Sequence, residues 1–412
     1  MTPTQQLHFE FQHASTEAEA FTVWARHREM LKNSSLILSI PGQSPFGVKL
    51  PKSFGKTARL ISTFAHDDLF FLNEHIFSEM QAGRECTFPI TYTVSFDTNA
   101  ASYIRGLFKN QDSQTHQDIA KLLIHFHPKL NWQVIPYLME NAESIVRGEH
   151  GQEIFETILA VERMEDVDIE CLRQSGRLRL LSDGNESLNR AANRLSYTAR
   201  HFTNGLHLTI LERWEALYVA LLFATLEQIH KPGAERAPKK LKELVKFMDR
   251  EIHSIFLEFL FIAWDWFKNG KQTSIFNKLQ KNAPNLLAKV RNIGWDIFHL
   301  TQMRQEATFH EKKEAFLVPF LLTFDQAFAD LVSLCGLKSC LIEKTFDYPI
   351  CFTNQDPDTV FTPAIGKDVE FMELYFSVDA NARRGAWIDK NGRPNLSSVR
   401  QSLESEILKL QQ

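Results

Sequence analysis

The feature that most constrains this chain is a short run that reads as a strand and then has to stop being one. Thr91 to Phe96 alternates and is rich in β-branched and aromatic residues, which suits a buried strand. Asp97-Thr98-Asn99 follows at once. Thr98 and Asn99 are good N-cap residues, so the spacing predicts a helix from Ala100 to Leu107. An acid is thereby held at the carboxyl end of a strand and at a helix N-terminus, where α/β sheets place ligand sites. A strand-end aspartate also serves as a plain helix cap, and both readings stand at this point.

Three later stretches repeat the theme. Ile135-Pro-Tyr-Leu-Met-Glu140 puts an acid on the next helix, with Glu143 a rival on nearly the same face. Arg291 to Leu300 puts Asp296 inside an amphipathic helix, with Asn292 one turn before it. Phe316 to Asp325 is an apolar strand ending in Thr323-Phe324-Asp325, and a helix is predicted from Gln326 to Leu334. The order strand-Asp-Thr-Asn, helical Glu, helical Asp, strand-Thr-x-Asp resembles the PIN-like nuclease family, over residues 91–145 and 285–337. The resemblance implies an α/β fold with a three-layer core and a mainly parallel sheet, Asp97 and Asp325 lying on neighbouring strand ends. It implies that Asp97, Glu140, Asp296 and Asp325 form the catalytic cluster.

Converging carboxylates repel one another, and a divalent cation relieves that repulsion. Oxygen ligands without Cys or His select Mg²⁺ or Mn²⁺ over zinc. Thr98, Asn99, Asn292 and Thr323 are natural hydrogen-bonding partners for such carboxylates or for a scissile phosphate. The resemblance implies a metal-dependent endonuclease, with RNA rather than DNA as substrate, since many PIN-like proteins cut structured RNA, including toxin and phage-defence effectors. A binding or scaffold protein on a degenerate PIN-like fold is the alternative from another class. Its acids would be structural.

The rest of the chain sets the domain expectation. Residues 1–90 read as a mixed α+β segment: Leu7 to Gln12 a strand, Ser15 to Lys32 a helix, Ser35 to Ile40 a strand. Residues 91–147 and 285–340 would form the nuclease core. Residues 148–284 read as nearly all helix, with long segments at Glu186 to Gln228 and Leu241 to Lys268, and are expected to be a helical insertion. Residues 341–412 would be a C-terminal extension. The insertion departs from the compact form of the family. It is the expected place for a regulatory protein or for contacts with a second copy of the chain, because its apolar stripes exceed what one core covers.

The formal net charge of −4 carries no global signal for nucleic acid, so an RNA ligand needs a local basic patch. Asn381 to Pro394 offers one: Arg383, Arg384, Trp387 and Lys390 combine charge with an interleaved aromatic, a pattern that suits single strands. Lys49, Lys52 and Lys56 lie in a Pro/Gly loop that could touch phosphates. The pairs Arg194/His201, Arg200/His207 and Arg304/His310 resemble the Arg-x4–6-His pattern of HEPN RNases, which would assist proton transfer without a metal; surface polar residues are the bland alternative. Five scattered cysteines with no CxxC argue against a disulfide framework or a zinc site and suit the cytoplasm. The most apolar runs are too short to span a bilayer, so no membrane is expected.

Overall fold

The computed structural model describes residues 3–14, 16–42, 48–50, 56–109, 113–127, 130–307, 316–343 and 350–410. Helices α1 (Pro3–His13), α2 (Glu17–Arg26) and α3 (Arg28–Leu31) come first. Strands β1 (Ser34–Ile40), β2 (Val48–Lys49), β3 (Arg59–Ser62) and β4 (Asp68–Asn73) follow, then α4 (Glu74–Gln81). Next are β5 (Ile90–Phe96), α5 (Thr98–Gly106), α6 (Gln114–Phe126), β6 (Leu130–Gln133), α7 (Ile135–Glu140) and α8 (Ala142–Arg147). Helices α9 (Gly151–Glu165), α10 (Ile169–Ser175), α11 (Gly184–Thr203), α12 (Leu206–His230), α13 (Ala237–Phe247), α14 (Leu257–Asn269) and α15 (Leu286–Ala307) make a long helical run. The chain ends with β7 (Phe316–Thr323), α16 (Gln326–Cys335), β8 (Leu337–Glu343), β9 (Ile350–Thr353), α17 (Pro357–Phe361), α18 (Val369–Phe376), α19 (Val378–Asn391) and α20 (Ser397–Lys409). Among the described residues no helix is long and apolar enough to cross a membrane.

Two compact units divide the chain. The first takes Met1–Asn204, Leu300–Val332 and Gly336–Asn354; the second takes Gly205–His299, Ser333–Cys335 and Gln355–Gln412. The strands all belong to the first unit, in two sheets. One is antiparallel, in the order β2-β4-β1-β8-β9. The other is mixed, in the order β3-β7-β5-β6: β5 runs parallel to both β6 and β7, and β3 closes the edge antiparallel to β7. Residues 1–90 therefore serve both sheets. β3 adds an edge to the parallel strands, while β1, β2 and β4 build a second sheet with β8 and β9.

Phenylalanine fills the space inside this unit. Phe71 of β4 meets Phe316 of β7 at 4.9 Å between ring centroids, and Phe126 of α6 packs on Tyr92 of β5 and Phe320 of β7 at 5.0 and 5.7 Å. Such offset aromatic pairs add to the burial of their area. Gly336, between α16 and β8, allows the tightest approach: a Cβ there would fall 2.7 Å from Ala65 Cα.

Several local expectations are corrected. Leu7 to Gln12 alternates like a strand but is the interior of α1, with Leu7 and Phe11 buried four residues apart on one helical face. The expected helix from Glu186 to Gln228 is two helices, because Gly205 adopts φ 94° after α11. Leu241 to Lys268 is likewise broken. α13 runs into a π-helical turn at Met248–Ile252, and His253 at φ 52° ends it before α14. The basic stretch at Asn381 to Pro394 is for the most part helix α19. Ser113 caps α6, its Oγ accepting from His116 N at 3.1 Å.

The second unit is helical. Trp214 and Tyr218 of α12 stack at 4.8 Å, Trp214 stacks on Trp295 of α15 at 4.9 Å, and Arg291 lies over the Trp214 ring. Lys240 is fully buried, donating to Gln228 Oε1 at 2.6 Å and Gly233 O at 3.2 Å. Burial pushes its ammonium below the usual lysine range. These bonds satisfy it, and it serves as an internal brace between α12 and α13.

One buried carboxylate organises the entry to the mixed sheet. Asp118 of α6 is fully buried, and its Oδ2 accepts from Thr57 N, Thr57 Oγ1, Lys56 N and Ala58 N at 2.8 to 3.3 Å; Gln114 donates to Oδ1 at 2.8 Å. Burial alone would raise the Asp118 pKa, but the bonds from Thr57, Gln114 and Ala58 outweigh it and hold the group below the usual carboxylate range. A depressed folded pKa stabilises the protein above the unfolded value, and that contribution fades as pH falls through the folded value. Asp118→Asn should therefore lose about 2 to 3 kcal/mol at pH 7, with a smaller deficit at pH 3, read from denaturant midpoints of both proteins at each pH.

Candidate functional site

The site is built where β5 and β7 end. The two strands are parallel neighbours with Phe96 opposite Leu322, so the residues that follow, Asp97 and Thr323, are neighbours too. Ser95 Oγ donates to Phe320 O at 3.0 Å and ties the strands one step earlier. Beyond the ladder, Thr323 Oγ1 donates to Asp97 Oδ2 at 3.0 Å and accepts from Asp325 N at 3.1 Å. The threonine hydroxyl thus connects the two acidic turns. Both bonds are buried or half-buried, where an unmade bond costs most.

Each aspartate also caps the helix that follows it. Asp97, rather than Thr98 or Asn99, is the N-cap of α5: its Oδ1 accepts from Ala100 N. Asp325 Oδ1 accepts from Ala327 N at 2.8 Å at the start of α16. Thr98 and Asn99 are exposed in the first turn of α5. Two helix N-termini and two carboxylates thereby meet at one sheet edge. Helix N-termini favour negative groups, which stabilises both carboxylates and suits phosphate as a neighbour.

Glu140 is half-buried at the end of α7, the helix after β6. α7 packs on β5 through Tyr137, whose ring is 6.0 Å from Phe96. Thr157 Oγ1, bound by Arg105 Nη1 at 3.1 Å, donates to the Tyr137 hydroxyl at 3.3 Å. Burial, together with the charges of Glu153 and Glu140, raises the Tyr137 pKa, so the hydroxyl stays protonated. Glu143 is exposed and pairs with Arg147 at 3.8 Å. Asp296 and Asn292 stand on the part of α15 that belongs to the second unit, Asp296 half-buried and Asn292 exposed. Among the described residues no three His, Cys, Asp or Glu side chains gather into a group that could hold a metal ion. The structure joins Asp97, Thr323 and Asp325.

An aromatic pair beside these acids was not singled out from the sequence. Tyr103 of α5, 44% exposed, packs on Phe324 at 4.5 Å. Phe324 lies between Thr323 and Asp325. The signal was present in the Thr-Phe-Asp motif and in a tyrosine two turns into the helix after Asp97, but only the parallel pairing of β5 and β7 makes them neighbours.

The residues of the expected nucleic-acid patch make contacts of their own within the second unit. Arg384 is buried and donates to Asp249 Oδ1 at 2.8 Å, to Tyr375 O at 3.0 Å and to Asn381 Oδ1. Arg383 binds the same Asp249 at 3.0 Å, and Trp387 stacks on His253 at 3.6 Å. Three of the four residues therefore fasten α19 to the π-helical turn, and Lys390 is exposed. Arg194 bonds the buried Glu162 at 2.8 Å, alongside Arg190 at 3.0 Å, and so holds α11 to α9. His201, paired with Arg194 in the HEPN-like reading, packs on Tyr197 at 4.1 Å. Arg200 is exposed at the end of the first unit, and His207 falls in the second. His310, the partner expected for Arg304, lies outside the described residues, as does Lys52 of the basic loop.

Compared with protein families, curated proteins and solved structures, the chain matches none.

The relay through Thr323 makes a direct test. Thr323→Val keeps the shape of the side chain and removes both bonds. A loss of about 1 to 3 kcal/mol is expected, seen as a lower denaturant midpoint at unchanged slope.

Proposed function

We propose that the chain is a metal-dependent endonuclease with a PIN-like core that hydrolyses RNA at the paired carboxyl ends of β5 and β7. The observation that carries this reading is the Thr323-linked pair of Asp97 and Asp325 on adjacent parallel strands. Two carboxylates suit Mg²⁺ or Mn²⁺, which is commonly held by one or two carboxylates with substrate phosphate and water completing the shell. A bound ion of this kind supplies phosphodiester polarisation and a hydroxide at neutral pH.

The chain's own residues have distinct tasks on this reading. Thr323 fixes the Asp97 carboxylate through Oδ2, and the Ala100 and Ala327 amides fix the Oδ1 atoms, so both acids are oriented before substrate arrives. The N-termini of α5 and α16 favour the phosphate, with exposed Thr98 and Asn99 at its rim. Tyr103 and Phe324 offer a stacking face for an unpaired base. Glu140, one helix away, is the proposed water-orienting acid. RNA rather than DNA follows from the resemblance alone. The cell has to restrain such an activity, and a regulatory protein or a second copy of the chain is the proposed restraint.

A second reading has its own observation. Each aspartate already caps a helix, and among the described residues no three acids gather into a metal-holding group. A PIN-like binding protein in which the pair is purely structural accounts for both facts.

Cleavage of labelled RNA by the pure protein separates the two. With Mn²⁺ the nuclease reading expects cleavage that EDTA, Asp97→Asn and Asp325→Asn each abolish. Asn caps a helix about as well as Asp, so Asp97→Asn should remain folded and the loss is one of chemistry. Cleavage that survives both EDTA and Asp97→Asn overturns the metal reading, and RNA binding with no cleavage in any condition selects the binding protein.

Tyr103→Ala tests the stacking face. It should raise KM for single-stranded RNA about tenfold at unchanged kcat, as expected for one lost base stack.

A further inference from the structure

Cys340 and Cys351 were expected to be unrelated thiols. They lie opposite each other on β8 and β9, Cα partners in the antiparallel ladder, with their Sγ atoms 3.1 Å apart. Both are free thiols. In-register residues of antiparallel strands have Cα atoms about 4.5 to 5.5 Å apart, within the range of about 4.4 to 6.8 Å that a disulfide spans. Joining the two sulfurs therefore requires no change of strand register.

Their surroundings differ in a useful way. Cys340 is fully buried, whereas Cys351 is exposed on the edge strand of the antiparallel sheet. A small oxidant can reach one sulfur only, and the second lies directly behind it. Among the described residues β9 is paired on one side alone, by β8. One residue after Thr353 of β9, the first unit ends at Asn354.

We propose that Cys340 and Cys351 are a reversible redox couple, oxidised by small disulfides of the glutathione type, whose closure locks edge strand β9 onto β8. The electrons balance in two exchanges. The Cys351 thiolate attacks one sulfur of the small disulfide; the S–S bond breaks, and one small thiolate leaves with the electron pair and takes up a proton. Cys340 then gives its proton to solvent and attacks Cys351 Sγ, expelling the second small thiolate. Two protein thiols become one disulfide, and one small disulfide becomes two thiols. The hydrogen bond to Cys351 and burial both push the Cys340 thiol well above the usual range. Burial still raises the Cys340 thiol once Cys351 is capped, so the second exchange quickens as pH rises. The couple is independent of any nuclease activity.

The test uses the full chain, oxidised glutathione and a denaturing thiol count. The wild-type protein, with five cysteines, should fall to three thiols, yield a linked peptide joining Cys340 and Cys351, and recover all thiols with dithiothreitol. Its melting temperature should rise by about 3 to 8 °C on oxidation. Cys340→Ser should stop at the first exchange and hold glutathione on Cys351. Cys351→Ser, altered at an exposed position, should melt like the reduced wild type and form no linked peptide. An unchanged thiol count in the wild type, a wild-type protein that stops at the glutathione adduct, or a link through Cys86, Cys171 or Cys335 overturns the proposal.

Discussion

The pairing of β5 with β7 is the constraint on which the rest of this protein depends. It is a parallel pairing between strands separated by two hundred residues of chain, and it fixes what can stand at the sheet edge. Because Phe96 faces Leu322, Asp97 must sit beside Thr323, and the threonine hydroxyl then meets both acidic turns. A slip of one residue would send every side chain of β5 to the other face and dissolve this arrangement. The site is thus a product of register, and its acids gain their neighbourhood from the apolar ladder below them. The buried aromatics that set that ladder, among them Tyr92, Phe126 and Phe320, contribute to the site without touching it.

Much of this edge was legible in the sequence because it rests on local rules. β-branched alternation marks β5, and an unbroken apolar run marks β7, which is buried along nearly its whole length. An Asp at each strand end marks both turns. The identity of the cap was less legible: Asp97 caps as well as Thr98 or Asn99, and the helix began at Thr98, two residues before the predicted Ala100. Patterns that depend on tertiary choice were misread. Leu7 to Gln12 satisfies period two and period 3.6 about equally, and burial against the sheet selected the helix. The sequence offers the arginines near residue 383 as a basic patch for single strands, and no local rule could place Asp249 opposite them. The aromatic pair Tyr103–Phe324 and the contact of Cys340 with Cys351 were invisible for the same reason, since each joins residues through strand pairing.

Charge in this protein is used for internal bracing more than for display. Asp118, Glu162, Lys240 and Arg384 are all buried, and each is met by several partners. Burying an ion is costly unless its bonds are complete, so these positions tolerate little change. Each holds an irregular join: the entry to β3, the α9–α11 contact, the α12–α13 turn, and the seat of α19 on the π-helical turn. Helices that must meet at defined angles without a long apolar stripe gain their orientation this way. The acids at the β5–β7 edge differ, because Asp325 is only half-buried and two helix N-termini face them.

The place of β1 in the antiparallel sheet has a consequence for how the chain is made. β1 lies between β4, which follows it closely, and β8, which arrives only at Leu337–Glu343. During synthesis the hairpin-like pair of β1 and β4 is complete early, yet one side of β1 presents its amides and carbonyls to the cell until most of the chain has emerged. Parallel β5 waits as long for β7. A nascent chain of this kind carries unfinished strand edges through most of its translation, which exposes it to other unfinished chains and to chaperones that recognise such edges.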